Sequence, residues 1–152
     1  MKNEELEFFL FFKFYKSGRS GRKKARKILE LNILRQALEN SWGEDTCYPP
    51  QAKQWKNKHP SFGQCAVTAL VVQDYFGGKI TYCEHAHHYW IKNSAGEKID
   101  LTAEQFGPET EICEDGTRCR QYMLESAAAK KADTFKRYLL LKSRVEYFLK
   151  NR

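Results

Sequence analysis

The sequence predicts an α+β domain in which one buried helix packs on a small antiparallel sheet. Three observations carry that expectation. Residues 64–76, QCAVTALVVQDYF, are apolar nearly all round and stop at Gly77-Gly78, as a helix enclosed by its neighbours requires. Three short runs follow at 79–83, 87–92 and 98–101, the first two carrying β-branched and aromatic residues, and read as strands. Apolar residues at helical spacing flank this centre on both sides.

Taken in order, the first predicted helix covers about Lys24 to Asn40. Ile28, Leu31, Leu34 and Leu38 form its stripe, widened by Leu29, Ile33 and Ala37. Residues 43–62 hold three of the four prolines, with Tyr48 and Trp55 among polar residues, and read as an ordered loop. The central helix and the three strands come next. A last helix covers Thr134 to Lys150, with Phe135, Tyr138, Leu139, Leu141, Val145, Phe148 and Leu149 as its apolar set. Lys142 interrupts that set, so its stem is expected at the edge of the core.

At 152 residues the chain fits one domain able to bury a core without staples. Residues 1–23 read as an apolar and basic N-terminal extension, and 24–152 as the domain. No run reaches the roughly 18 apolar residues of a membrane span. Acids precede the apolar stretch 6–15 and bases follow it, the reverse of a secretory signal. A cytoplasmic location is the expectation, and five cysteines, an odd number without Cys-x-x-Cys, agree with it. Cys113 and Cys119 flank a turn that would let them approach.

The net charge of +7 is local. Residues 13–27 carry eight Lys/Arg and no acid, while the rest of the chain holds eighteen bases against nineteen acids. Such a block suits an anionic partner. The plainer reading is a solvated lead-in to the first helix, because no stacking aromatics interleave with it.

The candidate chemistry lies in three dispersed residues. Cys65 falls in the first turn of the central helix, where unpaired N–H groups and the helix dipole favour negative charge. His88 lies on the second strand and Asp100 on the third. For both side chains to share a face of the hairpin, paired positions must sum to an even number. A three-residue loop, Ser94-Ala95-Gly96 with Gly96 left-handed, supplies this. Trp90 then sits opposite Asp100, and His88 reaches the carboxylate diagonally.

The segments DTCYPP, GQCAVTALVVQDYFGG, HYW and DLT, in that order, resemble the bacterial YunG-like proteins over about residues 40–106. More distantly, a Cys at a helix start followed by HYWIKNSAGEKIDLT is similar to the core of papain-like and transglutaminase-like cysteine enzymes. That resemblance implies Cys65 as nucleophile, His88 as general base and acid, and Asp100 as its orienter. It implies a hydrolase or acyltransferase acting on a peptide, amide or thioester, with no metal or organic cofactor required. Ala66, not Trp, follows the cysteine, and the candidate oxyanion glutamine is adjacent to it, not several residues upstream. The Cys65 backbone N–H is therefore the first oxyanion donor, with Gln64, Gln54 and Trp55 as side-chain candidates. Tyr48 and Trp90 are candidate walls of a substrate groove.

Two alternatives stand beside this reading. One is a non-catalytic binding domain on the same scaffold, using residues 13–27 against an acidic partner. The other is a zinc site on Cys83, His85 and His87, which would share one face of a strand.

Overall fold

The structure, a computed structural model, describes residues 20–152. The apolar stretch 6–15 and the first part of the basic block 13–27 lie outside the described residues. Two compact units divide the chain, one ending at Ile33 and the other running from Leu34 to Arg152. Helix α1 spans Ser20–Glu39. It begins four residues before the position predicted, because Arg and Lys are good helix formers and carry it through the single Gly21. In the first unit the Arg26 side chain pairs with Glu30 one turn on, at 3.0 Å.

The second unit is an α+β arrangement around one helix. After α1 come a 3₁₀ segment Pro49–Asn57, helix α2 (Cys65–Phe76), strands β1 (Lys79–Cys83), β2 (His88–Lys92) and β3 (Lys98–Ile99), and a 3₁₀ turn Ala103–Gln105. Strand β4 (Gly116–Arg118), helices α3 (Arg120–Glu125) and α4 (Ala127–Lys131), and helix α5 (Thr134–Lys150) complete it. The sheet is antiparallel in the order β3-β2-β1-β4. Helix α2 packs on β1 and β2 with one face and on α5 with another. Its residues Val67–Val72 are all buried. The predicted all-round apolar pattern therefore has its cause in coverage from two sides.

The core of the sheet comes from Ile80 and Ile91, directly opposed across β1 and β2 and both fully buried. On α5, Leu141, Val145 and Leu149 face inward with Tyr138, while Phe135 and Leu139 of the expected set stay exposed. Arg137 and Thr134 take the inward positions instead. Lys142 lies at the edge of the core, as its place in the stripe predicts, with its ammonium 3.5 Å from Asp74.

Residues 43–62, expected as an ordered loop, contain the 3₁₀ segment, which starts at two prolines that suit a helical first turn. The third strand is two residues long, not four. Asp100 leaves the ladder because its own carboxylate accepts the Thr102 N–H at 3.2 Å, a local bond that competes with strand pairing. Strand β4 and the helices α3 and α4 carry too few periodic apolar residues to have been predicted. Among the described residues no helix is long and apolar enough to cross a membrane.

Helix α2 turns into β1 through two glycines with positive φ, +65° at Gly77 and +92° at Gly78. A β-carbon at Gly78 would lie 2.6 Å from the Lys92 carbonyl, whereas one at Gly77 would meet nothing within 4 Å. Gly77→Ala is expected to cost the backbone strain alone, about 1–3 kcal/mol, and Gly78→Ala is expected to cost more. Urea unfolding of the two variants checks this. Equal losses would show that β2 yields to the added methyl.

Candidate functional site

The site is built at the start of α2 and across the β2–β3 hairpin. Its first requirement is register. Ile91 pairs with Ile99 and Lys92 with Lys98, so paired positions sum to an even number and Trp90 falls opposite Asp100. The loop between them is the predicted three-residue one. Asn93 N–H bonds Glu97 O at 3.0 Å to close it, and Gly96 has φ +79°. His88 and Asp100 thus share a face.

The consequence is a short hydrogen bond, His88 Nε2 to Asp100 Oδ2 at 2.8 Å. Both groups are removed from water, with side-chain exposures of 0 % and 6 %. Asp100 is held from several directions. Oδ1 accepts from the Thr102 N–H at 3.2 Å and the Thr102 hydroxyl at 3.4 Å, and Lys98 Nζ stands 3.3 Å from Oδ2. Burial raises the Asp100 pKa, but the bond and charge of His88, then Lys98, outweigh it and hold it below 3.8. With Asp100 ionised, Nε2 carries the proton in the bond.

Nδ1 of His88 is the group this arrangement leaves over. It is buried and has no hydrogen-bond partner, which is uncommon in a folded protein and calls for an explanation. Cys65 is the second side chain that bears on the ring. Burial pushes the imidazole pKa down, but Asp100 and then Cys65 raise it to about 9. Since Nε2 is occupied, Nδ1 is the nitrogen open to the sulfur. In the resting arrangement the thiol is instead aimed at the His87 carbonyl, 3.7 Å away.

Three further features complete the surroundings. The His88 ring is clamped by Trp90, with centroids 5.5 Å apart, and by the edge of Phe106 at 4.7 Å. Lys98 lies over Trp90 at 4.3 Å. Gln105 bridges the two halves, because Nε2 donates to Thr102 O at 2.9 Å and Oε1 accepts the Gly63 N–H at 3.3 Å. Beneath this, Arg137 is buried with its guanidinium on three neutral oxygens, Ala132 O, Thr46 O and Thr134 Oγ1. Burial is the largest influence on its pKa and leaves it lowered, with the charge that Cys65 or Cys47 would carry acting in the opposite sense. Phe106, Lys98, Gln105 and Arg137 were not found by sequence reasoning. Only Lys98, two residues from Asp100 on one strand face, carried a readable signal.

Two of the three side-chain oxyanion candidates donate elsewhere. Gln64 is fully buried and its amide nitrogen donates to Gly43 O at 2.9 Å. Trp55 spends its indole N–H on Pro60 O at 2.9 Å. Gln54 is exposed on the 3₁₀ segment. Gln64 makes no cap bond at the head of α2, so the first-turn backbone amides keep their donor capacity. Tyr48 is exposed, whereas Trp90 is buried behind His88 and supports the ring instead of lining open space. A separate surface depression of about 730 Å³ is lined by Trp42, Trp55, Lys56 and Arg144.

The expected zinc donors do not gather. His85 and His87 lie in the turn before β2, with His87 at φ +48°, so they lack the alternation of a strand. Cys119 accepts the Tyr122 N–H at the head of α3, and it is Cys83 that Cys113 approaches, at 3.9 Å.

The His88–Asp100 pair makes stability depend on pH with a definite sign. A raised histidine pKa stabilises fully below the unfolded value of about 6.5 and is lost as pH climbs through about 9. A lowered aspartate pKa stabilises above about 4 and is lost as pH falls. The stability difference between the native chain and Asp100→Asn is therefore expected to be largest near pH 5–6 and to shrink toward pH 9. Urea midpoints across that range measure it, and a difference flat in pH would contradict the pairing.

Comparison with known proteins gives a family. Residues 30–150 match the family described as YunG protein. A relative from Bacillus subtilis (strain 168), "Uncharacterized protein YunG", is 37% identical over 75 residues, which cover 48% of this chain and 60% of that protein. The matched part thus spans less than two thirds of the relative's length. No solved structure matches the chain. The family match covers most of the sequence, and the chain belongs to the YunG family.

Proposed function

We propose that this protein is a cysteine-dependent hydrolase or acyltransferase acting on an amide or thioester. One observation carries the reading above the others. His88 gives Nε2 to Asp100 and keeps a buried, unpartnered Nδ1 on a ring that also feels Cys65. A base with one nitrogen oriented by a carboxylate and the other free beside a sulfur is what thiol activation requires.

In the proposed reaction Cys65 turns from the His87 carbonyl and its proton rests on Nδ1 as a thiolate–imidazolium pair, the charged ring that a histidine pKa raised to about 9 favours. The sulfur attacks the substrate carbonyl, and the new oxyanion lies against the backbone amides that open α2. The imidazolium then protonates the departing amine or thiol as the carbon–heteroatom bond breaks. This leaves a thioester on Cys65. Water or an amine, deprotonated by the same Nδ1, attacks that thioester and releases Cys65. Asp100 stays ionised throughout and holds the ring. The helix-borne cysteine, the His–aromatic–Trp strand and the aspartate beyond the turn support a papain-like or transglutaminase-like core.

Alkylation with iodoacetamide, mapped by mass spectrometry across pH 5–8, tests the proposal. Cys65 is expected to react faster than the other cysteines at pH 6, and by at least about tenfold faster than in His88→Ala. Asp100→Asn is expected to slow it as well. Five cysteines that label alike, or a rate indifferent to His88, would overturn it.

A further inference from the structure

A second group of reactive side chains lies on the opposite side of β1 from β2, outside the site just described. Cys83 ends β1 and is buried. Cys113 and Asp115 come from the segment between the 3₁₀ turn and β4, both exposed. The two sulfurs and a carboxylate oxygen lie within 4.8 Å of one another, the one such group of three among the described residues.

The segment that brings Cys113 and Asp115 here is fixed by bonds on either side of the cluster. The Asp115 N–H donates to Tyr82 O at 2.9 Å, and its Oδ2 accepts the Glu84 N–H at 2.7 Å. These two bonds straddle Cys83. Both carboxylate oxygens of Glu114 take the Lys92 ammonium at 2.9 Å. The segment is thus held at residues 114 and 115, and Cys113 is delivered over Cys83 without any covalent tie. A carboxylate already oriented by a backbone N–H is also how metal-binding carboxylates are commonly held.

The sulfur separation bears on two uses of such a pair. A disulfide needs about 2.05 Å between sulfurs. A tetrahedral centre with Zn–S bonds of about 2.3 Å sets its two sulfurs about 3.8 Å apart. The observed separation is 3.9 Å, a thiol–thiol hydrogen bond in the metal-free chain, and it matches the second spacing without a change in sulfur positions.

We infer that Cys83, Cys113 and Asp115 form a binding site for a thiophilic divalent cation of the zinc class. Binding exchanges the two thiol protons for the metal, with two sulfur ligands, one carboxylate oxygen and a water completing the tetrahedron. The site ties the segment before β4 to the strand that pairs with β2. Cys83 is the register partner of His88, so the bound ion stiffens the strand pair that carries the imidazole. It takes no part in the Cys65 chemistry.

The full chain, reduced and stripped with a chelator, is titrated anaerobically with Co²⁺ and the spectrum is followed for thiolate-to-cobalt charge transfer. One equivalent is expected to bind, Zn²⁺ to displace it, and Cys65→Ser to behave as the native chain. Cys113→Ser and Asp115→Asn are both exposed changes, so the circular dichroism is expected to stay unaltered. Each is expected to weaken binding by at least about tenfold, and Cys113→Ser to reduce the charge-transfer band as well. The assignment is overturned if binding survives undiminished in either variant or is lost in Cys65→Ser.

Discussion

The site depends on the register of one short hairpin. Side chains on a strand alternate between faces, so a shift of one residue between β2 and β3 would send Asp100 to the face opposite His88. The three-residue loop at 94–96, with Gly96 left-handed, fixes the sum of paired positions and hence the 2.8 Å bond between imidazole and carboxylate. Only two ladder residues, Lys98 and Ile99, follow the loop. The correct pairing is therefore secured by the burial of Ile99 against the core and by the Asp100 turn bonds, not by strand length.

Around that hairpin the fold supplies dryness and direction. Trp90 and Phe106 enclose the imidazole on two sides, and a charged pair in such a place is strengthened by the low dielectric while costing desolvation. The lateral bonds of Asp100 to Thr102 and Lys98 offset part of that cost and restrict the carboxylate to one orientation. Helix α2 is clasped between the sheet and α5, which brings its first turn to the same neighbourhood. Gln105 links Thr102, beyond Asp100, to Gly63, just before Cys65. The sulfur and the carboxylate are thereby tied to each other through four residues of loop. Gly63 is required there, since a β-carbon at its φ of +70° would collide with Cys47 Sγ.

What could be read from the sequence followed periodicity and turn chemistry. The spans of β1 and α5 were predicted to the residue, the centre of α2 likewise, and the hairpin register came from counting positions around Gly96. Cys65, His88 and Asp100 stand where those elements place them. The missed parts have physical causes. Strand β4 and helices α3 and α4 are too short for periodicity to show. Asp100 breaks its strand through a side-chain bond that a pattern of apolar residues does not contain. Arg137 on α5 reads as a surface charge by type, yet its guanidinium is buried on backbone and hydroxyl oxygens. The glutamine, phenylalanine and cysteine pairs that complete the two sites are contacts across distant segments, which no local signal encodes.

The central claim is that one imidazole joins Asp100 on one nitrogen and faces Cys65 with the other. Nitrogen-15 NMR of the His88 ring through a pH titration, in the native chain and in Cys65→Ala, reads both halves at once. The account requires a neutral ring protonated on Nε2 and a His88 pKa that falls when the sulfur is removed, because Cys65 raises it. A ring protonated on Nδ1, or a titration that Cys65→Ala leaves unmoved, would contradict it.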